Sequence, residues 1–123
     1  MSAKGTFEVD LTPQEDGEFA AGRMLIRKTY LGDMNGSSTG QMISKRMENG
    51  TAIYYAIEEF SGSVNDKSGQ FTLVHKGHMT KNSQSLEVTI LEGSGRGELQ
   101  TISGSMRIIQ DANGHRYELS FGL

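Results

Sequence analysis

The sequence predicts an all-β domain, a closed antiparallel up-and-down barrel of about eight strands. Three observations predict it. Apolar residues recur at every second position over most of the chain, the period of a strand that buries one face. Clusters of turn-forming residues punctuate the chain at intervals of roughly ten residues. No stretch carries a sustained 3.6-residue apolar stripe with end caps, so no helix competes. The 16 glycines and single proline among 123 residues fit a sheet with many tight turns, and the length fits one domain spanning residues 1–123. Connections this short disfavour parallel crossovers, and closing the meander removes its two vulnerable edges.

Taken in order, the first strand carries Phe7, Val9 and Leu11 on one face. Pro13 to Gly17 breaks it. The second, Arg23 to Leu31, is ambiguous, because Met24, Ile26 and Tyr30 oppose Leu25 and Leu31. Asn35-Gly36 offers a type I′ hairpin turn before a polar third strand with Gly36, Ser38 and Gly40 on one face. Small residues there leave space for a ligand or permit a close backbone approach. Asn49-Gly50 supplies the next turn, and the fourth strand, Thr51 to Phe60, is apolar on both faces. That pattern predicts self-association as a homo-oligomer, a dimer, with either Tyr54 and Phe60 or Ile53, Tyr55 and Ile57 facing outward. After a break at Asn65 to Gly69, the fifth strand sets Phe71, Leu73, His75 and Met79 on one face, and the sixth Leu86, Val88 and Ile90. Breaks fall at Lys81 to Ser85 and Glu92 to Gly97. Met106 and Ile108 mark the seventh strand, Asn113-Gly114 the last turn, and Tyr117, Leu119 and Phe121 the final strand, which should pair with the first.

Composition narrows the function classes. A chain without cysteine has no disulfides, thiolate metal sites or cysteine nucleophile. No apolar leader or membrane-spanning stretch is visible, so a cytoplasmic protein without membrane contact is expected. A net charge of −3 with scattered basic residues lacks the footprint of a nucleic-acid binder. The run Gly93-Ser94-Gly95-Arg96-Gly97 has no following Lys-Ser/Thr and reads as a hairpin loop. No G-x-S-x-G elbow accompanies the serines. His75 and His78 are spaced oddly on a strand and point to opposite faces, so they do not form a metal site, and no cofactor is expected. His115, beside a turn, reads as solvated.

The segments Gly5-Thr6-Phe7-Glu8-Val9, Gly36-Ser37-Ser38-Thr39-Gly40-Gln41-Met42, Tyr55-Ala56-Ile57-Glu58, Phe71-Thr72-Leu73-Val74-His75-Lys76-Gly77, and Gly95-Arg96-Gly97-Glu98-Leu99 with Ser103-Gly104-Ser105-Met106 resemble, over nearly the whole chain, a bacterial family known as domain of unknown function 3224. The last is similar to the glycine-punctuated hairpin of plant allene oxide cyclases and dirigent proteins. That likeness implies a calycin-like barrel, of the kind that holds apolar substrates or reactive intermediates without a cofactor. The absence of tryptophan removes the usual lipocalin strand-one signature.

Polar residues on the inward register are the functional candidates. Glu58 and Glu59 are adjacent, so one must point inward whichever register holds, and Glu58, beside Ala52 and Ala56, is favoured. The same adjacency sends Arg27 or Lys28 inward, with Lys28 on the face of Met24, Ile26 and Tyr30. Glu58 is then either part of a site or half of a structural ion pair with Lys28 or Arg27. His75 is either a hydrogen-bonded core residue or a general acid or base. The leading reading is a barrel that binds a small, mostly apolar molecule in a cavity lined by Lys28, Ser38, Met42, Glu58, Phe71, Leu73, His75 and Tyr117. The alternatives are a cofactor-free cyclase or isomerase using Glu58 and His75, and a solid-cored barrel acting as an interaction module through its outer surface.

Overall fold

A computed structural model describes every residue except Asn113. The described residues form nine strands and no helix, so no helix long and apolar enough to cross a membrane is present among them. The strands are β1 (Ser2–Pro13), β2 (Gly22–Gly32), β3 (Met34–Arg46), β4 (Ala52–Val64), β5 (Lys67–Met79), β6 (Gln84–Ile90), β7 (Arg96–Gly97), β8 (Ser103–Asp111) and β9 (Gly114–Gly122). Each long strand pairs antiparallel with the next, and β1 pairs with β9 from Ser2↔Ser120 to Phe7↔His115, closing an eight-stranded barrel. The two-residue β7 adds a short pairing to β5 within the β6–β8 connection.

Turn chemistry agrees with the sequence at some hairpins and departs from it at others. Asn65 and Asp66 both adopt positive φ (47° and 69°) between the paired residues Val64 and Lys67, the type I′ geometry that matches strand twist. Gly50 (φ 92°) serves the β3–β4 turn as expected. Asn35-Gly36, by contrast, lies inside β3, and the chain reverses one step earlier at Gly32 (φ 108°) and Asp33. Gly36 has another use: opposite Gly62, a Cβ built on it would stand 2.3 Å from the Ser61 carbonyl oxygen. Two strands meet there at a distance that only glycine permits. In the final hairpin Gly114 pairs with Asp111, while Asn113 lies outside the described residues.

The two halves of the barrel differ. At the end holding the β2–β3 and β4–β5 turns, Phe7, Tyr30, Phe60, Phe71, Leu119 and Phe121 form a continuous buried core. Leu99 and Ile102, from the β6–β8 connection, are 0% and 3% exposed and plug that end. Full burial of such side chains stabilises by roughly 1.5–3 kcal/mol each. Toward the other end the inward register continues through Leu11, Met24, Ile26, Met42, Ala56 and Leu86. Of these only Ile26 and Ala56 are buried; Leu11 and Leu86 remain 49% and 39% exposed. The barrel is thus filled at its foot and open at its rim.

One seam is shorter than the rest. β6 and β8 are joined by Val88↔Met106 and Thr89↔Ser105 only. Rimward of these, Gln84–Glu87 pairs with β5 alone and Arg107–Asp111 with β9 alone.

Candidate functional site

Glu58 stands at the floor of the open half, and its side chain is fully buried. Alternation along β4 puts it inward with Ala56 and Phe60, leaving Glu59 on the outer face, where it accepts a hydrogen bond from Thr72 Oγ1 at 2.6 Å. Four donors from three other strands converge on Glu58. Lys28 Nζ (3.0 Å) and His75 Nε2 (2.8 Å) share Oε1, while Ser38 Oγ (2.6 Å) and the Tyr30 hydroxyl share Oε2. That fills the roughly four lone-pair positions of a carboxylate.

The electrostatics follow from this geometry. Burial pushes the Glu58 carboxyl upward, but the His75 hydrogen bond, the Lys28 charge and the Ser38 and Tyr30 hydroxyls outweigh it and hold the pKa at about 2. Glu58 is therefore ionised at neutral pH. Burial first, then the neighbouring Glu58 charge, pushes the Tyr30 hydroxyl well above the ordinary phenol range, so it stays a donor. Lys28 gains further company from aromatic faces, with Nζ 4.8 Å from the Phe7 ring centroid and 5.8 Å from that of Tyr30.

Residues 3–121 match the model of a protein family of unknown function, DUF3224. The chain belongs to the DUF3224 family. A crystal structure of a DUF3224 protein of unknown function from Shewanella oneidensis MR-1 superposes with a TM-score of 0.90 at 34% identity, covering 100% of this chain and 96% of that one. No curated protein matches the chain. These findings support the first resemblance read from the sequence and do not bear on the likeness to allene oxide cyclases.

Within this DUF3224 barrel the candidate residues separate into two groups. Lys28, Ser38, Glu58 and His75 come together as one cluster, with Met42 on the wall above it. Phe71, Leu73 and Tyr117 lie in the filled half instead. Leu73 and Phe71 are core packing, and the Tyr117 hydroxyl is committed to the β2–β3 turn, accepting from Met34 N (2.8 Å) and lying 2.9 Å from the Leu31 carbonyl oxygen it donates to. The small residues of β3 serve close backbone approach: a Cβ on Gly40 would stand 2.3 Å from the Ile57 carbonyl oxygen.

Three residues escaped the sequence reading. Tyr30 was placed only on the face of Met24 and Ile26, yet its hydroxyl is a Glu58 donor. Tyr54 is half-buried on the inward register, its ring lying where a Gly77 side chain would be. His115 is half-buried and stacks on Phe7 (centroids 5.1 Å apart, 27° between planes) rather than standing in solvent. Alternation counted from Tyr117 would have placed it inward.

A pocket of about 820 Å³ takes its lining from both faces of β2–β5. Ala56 and His75 contribute from the inner register and are 4% exposed each, whereas Tyr55 and Ile57, on the outer register, are 51% and 57% exposed. Most of its lining residues therefore belong to the outer register.

Proposed function

We propose that this DUF3224 protein binds a small, mostly apolar molecule in the open half of its barrel, above the Glu58 cluster. The observation that carries this reading is the exposure of inward-facing apolar side chains at the rim, Leu11 and Leu86 above all. Apolar surface inside a concave mouth costs about 25 cal/mol per Å² to leave in water, which a ligand would recover. Met24, Met42 and Met79 give the wall adaptable lining. Native mass spectrometry of freshly purified protein should reveal a co-purified small organic molecule, and a naphthalene-type fluorescent probe should bind the emptied protein. Ala56→Phe, which fills the mouth, should weaken the probe at least about tenfold. A bare-chain mass together with no probe binding would rule the reading out.

A second reading, self-association, is favoured by the outer face of β2–β4. Register sets three rows there: Arg27, Thr39, Glu59; then Leu25, Gln41, Ile57; then Arg23, Ile43, Tyr55. A twofold axis lying along β3 would set Arg27 of one copy against Glu59 of the other, Leu25 against Ile57, and Arg23 against the Tyr55 ring. Sedimentation velocity at micromolar concentration should show a dimer that Ile57→Lys converts to a monomer. A wild-type protein that is strictly monomeric there would dismiss it.

A further inference from the structure

His75 is oriented as well as buried. An ionised carboxylate only accepts hydrogen bonds, so the 2.8 Å contact to Glu58 Oε1 assigns the imidazole proton to Nε2. In the neutral imidazole Nδ1 then carries a lone pair. Among the described residues Nδ1 has no hydrogen-bond partner, and no fully buried side-chain nitrogen or oxygen lacks one. Nδ1 is therefore within reach of solvent, and because His75 lies on the inward register of β5 opposite Ala56, it is reached from inside the barrel.

The charges around it are balanced. Apart from Arg46 and Lys67, which are exposed at the ends of β3 and β5, the titratable groups on the inward register are Lys28 and Tyr30 on β2, Tyr54 and Glu58 on β4, His75 on β5, and His115 and Tyr117 on β9. Glu58 is the sole acid among them and Lys28 the sole amine, and they are paired at 3.0 Å. A ligand that brought a net charge to this floor would upset that balance in a low-dielectric space. An uncharged ligand able to give up a proton would not.

Resting on the reading of the mouth as a ligand site, we propose that its occupant is a weak acid with an apolar tail, a carboxylic acid, which transfers its proton to His75 Nδ1. The O–H bond of the acid breaks, its electron pair stays on oxygen, and an N–H bond forms at Nδ1. The imidazolium so created lies between two carboxylates, Glu58 at Nε2 and the ligand at Nδ1, with Lys28 unchanged. Net charge within the barrel remains zero. A free acid that is ionised in solution must then take up a proton from the buffer on binding.

Calorimetry in buffers of different ionisation enthalpy tests this, with decanoic acid and methyl decanoate as probes. At about pH 8 decanoic acid should bind with uptake of about one proton, and the ester, which has the same tail and no proton, about tenfold more weakly and with no uptake. His75→Gln should abolish the uptake and equalise the two probes. The wild-type buffer series decides the matter even if that variant does not fold. Binding of the acid without proton uptake, or an ester that binds as tightly, would overturn the proton transfer while leaving the apolar mouth intact. Binding of neither probe would overturn both.

Discussion

Glu58→Gln should destabilise the protein by about 3–5 kcal/mol, the usual cost of removing one partner from a buried ion pair. The change is nearly isosteric, so packing is preserved and the loss is electrostatic. Lys28, whose side chain is 7% exposed, would keep its charge without a counter-ion. The new amide NH₂ would also have to face donors: Lys28 and His75 if it takes the Oε1 position, Tyr30 and Ser38 if it takes Oε2. Urea unfolding of wild type and variant measures the difference. The double variant K28M/E58Q should regain roughly 2 kcal/mol, because the stranded ammonium is gone. A single variant within about 1 kcal/mol of wild type would show that the cluster contributes no more than a surface pair.

The second large effect is on acid stability. The Glu58 carboxyl titrates at about 2 in the fold against an ordinary value of 4.5, a depressed folded pKa. Its contribution is therefore complete above the unfolded value and disappears as pH falls through 4.5 toward about 2, where the folded group finally protonates. Converted at 1.36 kcal/mol per unit, it is of the order of 3 kcal/mol. Subtracting the Glu58→Gln stability profile from that of wild type isolates this group from the other carboxylates, and the difference should shrink across that window. Carboxyl-carbon NMR gives the direct check, with the Glu58 resonance unmoved until close to pH 2. A resonance titrating near the ordinary value would show that the four donors do not hold the charge.

How much of this was legible beforehand depended on the kind of information needed. Strand alternation is local, so the inward placement of Glu58, Lys28 and His75 could be read from adjacency and period alone. That they line one cavity was expected, but that four donors meet on a single carboxylate could not be read. The donors come from β2, β3 and β5, and which rungs align across a barrel is set by strand stagger, which leaves no mark on any single segment. The filled half was hidden for a similar reason. Leu99 and Ile102 lie in a glycine-rich connection outside any alternating pattern, yet they plug the foot of the barrel and confine Phe71, Leu73 and Tyr117 to its core. Asn35-Gly36 misled because a glycine required by a tight strand crossing looks, in sequence, like one required by a turn.

The short pairing between β6 and β8 bears on how wide a guest the mouth can admit. Seven of the barrel's seams are laced by main-chain hydrogen bonds over at least six paired positions, and those bonds fix the spacing of their strands. The eighth is laced only at Val88–Met106 and Thr89–Ser105. Rimward of that point, Leu86 and Ile108 flank a gap whose width no ladder hydrogen bond dictates. The cylinder is built there like a clip, with no ladder bond across its gape, above a foot that is plugged.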